Sequence, residues 1–254
     1  MRRRKYFNLL RQLAFTQFKL KDQSAILGFL WSFLHPLILL GILFAMFRSQ
    51  TGQTIEHYAV YLLIGLVQYT HFANSTTRAL TVLYSMKHLT GNAIFPKEVL
   101  VLSATMADTI ELALSMLICV AVAAVSGIAL SWVILLLPLV CLLQFILVSS
   151  VSLLLSCLYI FVRDIGHIWG AFLRVLIFIT PIFYDRSFLG EGLGRWILLL
   201  NPLAYLINFS RTLIIDGKPV DFVSAMLLLL VTSVFLLSTF KLFKIYEPVF
   251  SEYL

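Results

Sequence analysis

The sequence predicts an all-α membrane protein: six transmembrane helices, an N-terminal amphipathic interface helix, and re-entrant outer helices after the fifth span. Three observations carry that prediction. Of 254 residues, 61% are hydrophobic and 12% charged, where a soluble domain has about 25% charged residues, and the mean hydropathy is +0.97. The apolar residues fall into long runs separated by short polar breaks, most of them near or above the ~20 residues a helix needs to cross a bilayer. The cations are spread unevenly between the two sides of those runs. A single membrane domain over 1–254 follows, with no soluble module.

Residues 4–20 are amphipathic at helical spacing. Tyr6, Phe7, Leu9, Leu10, Leu13, Ala14 and Phe18 fall on one face, Arg4, Lys5, Asn8, Arg11, Gln12 and Lys19 on the other, and Phe15 interrupts the polar face. Residues 1–24 are therefore expected to form a helix lying in the headgroup plane. The first long apolar run begins only near residue 25, after a basic segment with its own aromatics, which is not the layout of a cleaved signal peptide.

Spans are expected at about 26–47, 57–80, 100–126, 131–160, 166–184 and 222–243. The fourth run is longer than one crossing needs, so it should tilt or project from the membrane. Residues 196–215, WILLLNPLAYLINFSRTLII, have the length of a seventh span. With six spans and the N-terminus inside, the cytoplasmic side holds Arg2, Arg3, Arg4, Lys5, Arg11, Lys19, Lys21, Arg78, Lys87, Lys97, Arg163, Lys241 and Lys244. The outer side then holds Arg48, Arg186, Arg195, Arg211 and Lys218, and Arg174 lies within a span. A seventh span would carry Lys241 and Lys244 outward and weaken that bias. Proline removes a helix hydrogen bond and restricts the residue before it, so the stretch should break at Asn201-Pro202. Residues 185–215 thus read as a re-entrant outer gate, because irregular backbone at membrane depth persists only inside protein or along water.

No catalytic motif is present. The nearest look-alike to a phosphate-binding loop, Gly91 to Lys97, has Pro96 in place of its second glycine, so any ATP must sit on another chain. Cys119, Cys141 and Cys157 fall inside apolar runs and give no disulfide or metal framework. His35, His57, His71, His88 and His167 are scattered over different segments and show no ligand spacing. The net charge of +7 reflects cytoplasmic-side basic residues rather than nucleic-acid binding.

Polar residues inside spans are costly and face the bundle interior or water. Asp108 and Glu111, three apart on the third span, are expected to form an interhelical charge clamp with Arg174 on the fifth rather than a proton relay. Gln68, His71, Asn74 and Arg78 make a polar ladder along the second. Tyr69, Phe72 and Phe183 belong to a dense aromatic set that anchors the spans or lines a path for a sugar polymer.

Six stretches in order carry a family resemblance: ILGFLWSFLHPLILL (26–40), NAIFPKEVLVLSA (92–104), LYIFVRDIGHIW (158–169), TPIFY (180–184), WILLLNPLAYLINFSRTLI (196–214) and KLFKIYEPVFSEYL (241–254). Over nearly its whole length the chain resembles the ABC-2 type membrane subunits of ABC transporters that export polysaccharides such as O-antigen, teichoic acid and capsule. The resemblance implies a homodimer with a channel between its halves, clamped on two ATP-binding cassette subunits that hold ATP and Mg. This chain is then a transport subunit with no enzymatic activity and no bound cofactor of its own.

By the same resemblance, residues 85–98 hold the ATPase-coupling helix, with Asn92, Phe95, Pro96, Lys97 and Glu98 its candidate contacts. Phe29, Phe33, Trp169 and Phe172 join the channel-lining candidates, and Tyr184, Trp196, Asn201 and Pro202 form the outer gate. The implied substrate is a lipid-linked polysaccharide, O-antigen first among the options. The implied location is the bacterial cytoplasmic (inner) membrane, with both termini cytoplasmic, membrane lipids around the chain and no nucleic-acid partner. An ABC exporter of another lipid or drug remains the alternative, and a membrane-embedded glycosyl- or acyltransferase centred on Arg163, Asp164 and His167 a more distant one.

Overall fold

The computed structural model describes residues 3–20, 30–47, 55–86, 96–185 and 199–253. Every regular element among them is helical. In chain order these are α1 (Arg3–Leu20), α2 (Leu30–Phe47), α3 (Tyr58–Ser85), α4 (Glu98–Val125), a 3-10 turn (Trp132–Leu136) running into α5 (Leu137–Phe161), α6 (Ile165–Ile179), α7 (Pro202–Ile214) and α8 (Phe222–Tyr246), followed by short turns to Tyr253.

Local chemistry sets the helix ends. Gly127 takes a left-handed φ of 81° and closes α4: its N–H reaches the Ala124 carbonyl and that of Ile128 the Ala123 carbonyl, both at 3.1 Å, the paired bonds of a glycine-terminated helix. Pro181 forces extended backbone on Thr180 and stops α6 there. The expected fifth span to 184 is therefore helical only to Ile179, and residues 180–185 leave the helix. The Asp221 side chain caps α8 by accepting the Ser224 N–H at 2.8 Å, and these bonds hold its carboxyl below the usual carboxylate range.

Helix α3 is the hub, packed against α2, α4, α5, α6 and α7, while α5 is the second axis, with α8 laid along it. Glu98–Val125, Trp132–Phe161 and Phe222–Val249 are long and apolar enough to cross a membrane, and Leu34–Phe47 and Ile165–Ile179 are shorter apolar helices. α3 is long enough but too polar to join them, and that polarity is inward: Gln68, Ser75 and Thr76 are buried. α8 leaves Met226, Leu230, Val234 and Leu237 exposed, the pattern of a helix facing lipid.

α1 lies against α4, with Ala14 buried and Gln17 Nε2 donating to Ser103 Oγ at 2.8 Å. Phe7, expected on its apolar face, points outward with Phe15. The contact line along α4 is narrower than the apolar face the sequence offers.

Candidate functional site

The TPIFY stretch organises one end of the bundle. Its backbone is irregular at Pro181–Tyr184, so its carbonyls have no helical partners, and side chains supply them. Arg211 donates from Nη1 to the Pro181 carbonyl and from Nη2 to that of Ile182, both at 2.7 Å. The Tyr58 hydroxyl donates to the Phe183 carbonyl and the Tyr61 hydroxyl to that of Tyr184, both at 3.0 Å. The Tyr184 hydroxyl turns back to the Phe178 and Ile179 carbonyls at 2.7 and 3.0 Å, closing the end of α6. Four successive carbonyls are thus paired by donors on α3 and α7, which meets the requirement that irregular backbone in an apolar setting be satisfied by protein.

Arg211 is 6% exposed. Its Nε and Nη2 also donate to the Tyr61 carbonyl at 3.1 and 3.0 Å, and its guanidinium carbon lies 3.3 Å from the Tyr61 ring centroid. Five fixed N–H donors and a flat cation suit a cluster of carbonyls beside an aromatic face. Gly65 makes room: a Cβ there would lie 2.8 Å from Arg211 Nη2 and 3.3 Å from the Ile182 Cα. Counted from sequence as an outer charge, Arg211 is instead part of the core.

At the start of α7, the Asn201 carboxamide oxygen accepts the Leu203 and Ala204 N–H groups at 3.1 and 3.3 Å, and Pro202 takes the first helical position. Asn201 Nδ2 donates to Thr180 Oγ1 at 2.9 Å, tying the cap to the end of α6. The helix therefore restarts at Asn201-Pro202, where the sequence expects the break. Trp196 lies outside the described residues.

Among the channel candidates, Trp169 and Phe172 stack at 5.1 Å with 26° between their planes. Trp169 Nε1 donates to Thr76 Oγ1 at 3.0 Å and its ring meets that of Phe72 at 6.1 Å. Phe172 is 46% exposed, on a face of α6 that it shares with the exposed Ile168 and Val175. Tyr69 and Phe72 are buried behind that face, and the Tyr69 hydroxyl donates to the Leu173 carbonyl at 2.5 Å. Phe183 packs among Phe47, Phe178 and Tyr184. Phe29 lies outside the described residues, as does the side chain of Phe33.

Gln68, Thr70, Ser75 and Thr76 of α3 are buried, His71 and Arg78 are half-buried, and Asn74 is exposed. His71, Asn74, Ser75 and Arg78 line a cavity of about 270 Å³ with His35, Asp108 and Glu111. Gln144 of α5 reaches the Gln68 carbonyl and His71 Nδ1, both at 2.9 Å, and Gln68 donates to Ser210 on α7. The expected charge clamp takes a different form: Asp108 pairs with Arg78 at 2.8 Å, and Arg78 also donates to the Ala104 carbonyl at 2.7 Å. Arg174 is exposed on α6, which does not pack closely on α4, so the clamp joins α4 to α3.

The opposite end gathers the last two coupling candidates. Asn92 and Phe95 lie outside the described residues, and Pro96 immediately precedes the buried pair Lys97-Glu98. Glu98 Oε1 is 2.7 Å from Lys244 Nζ, which is also 2.8 Å from Glu247 Oε2. Burial pushes the Lys97 ammonium below its ordinary value against the pull of Glu247. Tyr6 of α1 lies near the two carboxylates, and burial, followed by the Glu98 and Glu247 charges, pushes its hydroxyl up to about 12.

Residues 8–215 match the model of the ABC-2 type transporter. The chain belongs to the ABC-2 type transporter family. As a transport subunit it is similar to two O-antigen export system permease proteins RfbA of Klebsiella pneumoniae, 30% and 28% identical over 213 residues, 83% of this chain and 82% of each relative. It is also 25% identical over 248 residues to the protein of that name from Myxococcus xanthus, covering 97% of this chain and 95% of the relative. The ABC-2 match takes in α1 from residue 8 onward, the polar axis and the Arg211 cluster.

Sequence reasoning did not single out Arg211, Tyr58, Tyr61 or Glu247 as site residues. Tyr58 and Tyr61, three apart, share a helix face, which was the available sign. The convergence of Glu247 on Lys97, 150 residues away, left none.

Proposed function

We propose that this chain is the permease half of an ATP-driven exporter that carries a lipid-linked polysaccharide, O-antigen, across the bacterial cytoplasmic membrane. Two copies of six spans each, with both termini cytoplasmic, enclose the path. Two ATP-binding cassette chains, which hold ATP and Mg, drive it through residues 85–98. Residues 185–215 gate the outer mouth. The names of the relatives from Klebsiella pneumoniae and Myxococcus xanthus support the substrate.

The observation that carries the reading is the stacked pair Trp169 and Phe172 on α6, with Phe172 left uncovered by the described chain. Flat apolar rings bind sugar C–H faces without directional bonds, so a polymer can slide along them. Coupling to hydrolysis gives the movement its direction.

The test is export by vesicles that hold the chain and its ATPase. Combined Trp169→Ala and Phe172→Ala should lower glycan export tenfold or more while the ATPase still co-purifies. Undiminished export would remove the ring face from the path. Transport of an apolar dye without glycan would favour a lipid or drug exporter.

A further inference from the structure

The C-terminal end of α8 grips the first residues of α4. The N–H groups at a helix start lack intrahelical partners, and here a distant side chain serves that position: Glu247 Oε1 accepts the Lys97 N–H at 2.6 Å. Its other oxygen accepts from Lys244 Nζ at 2.8 Å, and the same ammonium lies 2.7 Å from the buried Glu98 carboxylate. An acid at a helix N-terminus also meets the positive end of the helix dipole.

Neighbouring aromatics pack the same junction. Phe250 is fully buried, with its ring 5.1 Å from Phe243 and 6.1 Å from Phe161 of α5. The Lys97 ammonium lies 5.8 Å above the Phe250 ring. The Lys97-Glu98 pair is therefore held through its backbone, its ammonium and its carboxylate, all by residues 244–250. α8 lies along α5, so a displacement of Lys97 reaches the bundle axis through Glu247 as well as along α4 itself.

We propose that Glu247 is a positioning residue for transport, a strut through which movement of Lys97-Glu98 passes into α8 and α5. This inference rests on the export reading above. It assigns the C-terminal turn a part in coupling that does not require it to touch ATPase or glycan. A carboxylate suits that part, because it accepts two bonds at once from separate elements and ties them with little freedom between.

The experiment uses the full chain with its partner ATPase in proteoliposomes, and reads glycan exported per ATP hydrolysed. Glu247→Ala should lower that ratio about tenfold while the complex still assembles, and Glu247→Asp should restore part of it. Glu252→Ala, at an exposed position on the next turn, should leave the ratio unchanged. If Glu247→Ala does not accumulate, Glu247→Gln, which keeps the side chain's shape and drops its charge, carries the test with a smaller fall. A wild-type ratio in the variant that accumulates would overturn the strut. Wild-type protein that exports no glycan would instead overturn the export reading, so the two failures are distinguishable.

Discussion

Arg211 and Tyr61 are joined twice: the guanidinium donates to the Tyr61 carbonyl at 3.0 and 3.1 Å and lies 3.3 Å from the centroid of its ring. The same group pairs the Pro181 and Ile182 carbonyls, so one side chain fastens α7 to α3 and to the irregular segment after α6. Arg211→Lys offers one ammonium in place of a planar fork. It should cost about 2–4 kcal/mol through carbonyls left without donors, read as a lower Tm in detergent.

Gly65 tests the same cluster sterically. Gly65→Ala places a methyl within 2.8 Å of Arg211 Nη2. Because that group is fixed by its carbonyls, the change should destabilise by about 1–3 kcal/mol despite alanine's better helix propensity. Gly41→Ala meets nothing within 4 Å and should be neutral or slightly stabilising in the same melting assay.

Asn201→Ala removes the α7 cap and the bond to Thr180. It should cost about 1–2 kcal/mol, seen as faster hydrogen exchange at the Leu203 and Ala204 amides. Asn201 itself is buried, so topology is better probed at Leu200, which is 79% exposed. A Leu200→Cys variant should react with an impermeant thiol reagent from outside, and labelling only from the cytoplasm would overturn the outer-gate assignment.

Asp108→Ala leaves the half-buried Arg78 guanidinium, whose side chain is 29% exposed, with the Ala104 carbonyl but without its carboxylate, and should cost about 1–2 kcal/mol. Arg174→Ala should leave stability unchanged, since its side chain is exposed. Equal losses from the two changes would restore the clamp between α4 and α6.

Tyr6 sets a pH dependence. Its folded value of about 12 lies above the ordinary 10.0, so the neutral phenol is favoured in the folded state. Its contribution is complete below about pH 10 and is lost as pH rises through about 12. The phenolate absorbance of wild type minus that of Tyr6→Phe should titrate near 12, and a difference titrating at 10 would place Tyr6 in water.

The sequence was informative wherever a local pattern carried the physics. Hydropathic runs located the helices, and the amphipathic order of residues 4–20 located α1. Asn201-Pro202 announced its own break, because a capping amide followed by proline acts within four residues. The outcome was poorer wherever a polar group had to choose among distant partners. Asp108 had two arginines to choose from on the spans, Arg78 and Arg174, and only packing brings α3 beside α4 and leaves α6 apart.

By itself, then, the sequence determined a helical membrane protein, the approximate course of its helices, and the family to which its ordered motifs belong, because burial in lipid imposes long apolar runs that composition cannot hide. Tertiary structure alone decided which buried charges meet. Arg211 reads as one more outer cation until the carbonyls of 181 and 182 and the ring of Tyr61 converge on it, and Glu247 reads as a tail acid until Lys97 arrives from 150 residues away. A hydrogen bond depends on ångström placement of groups that the chain brings together only after its helices have packed.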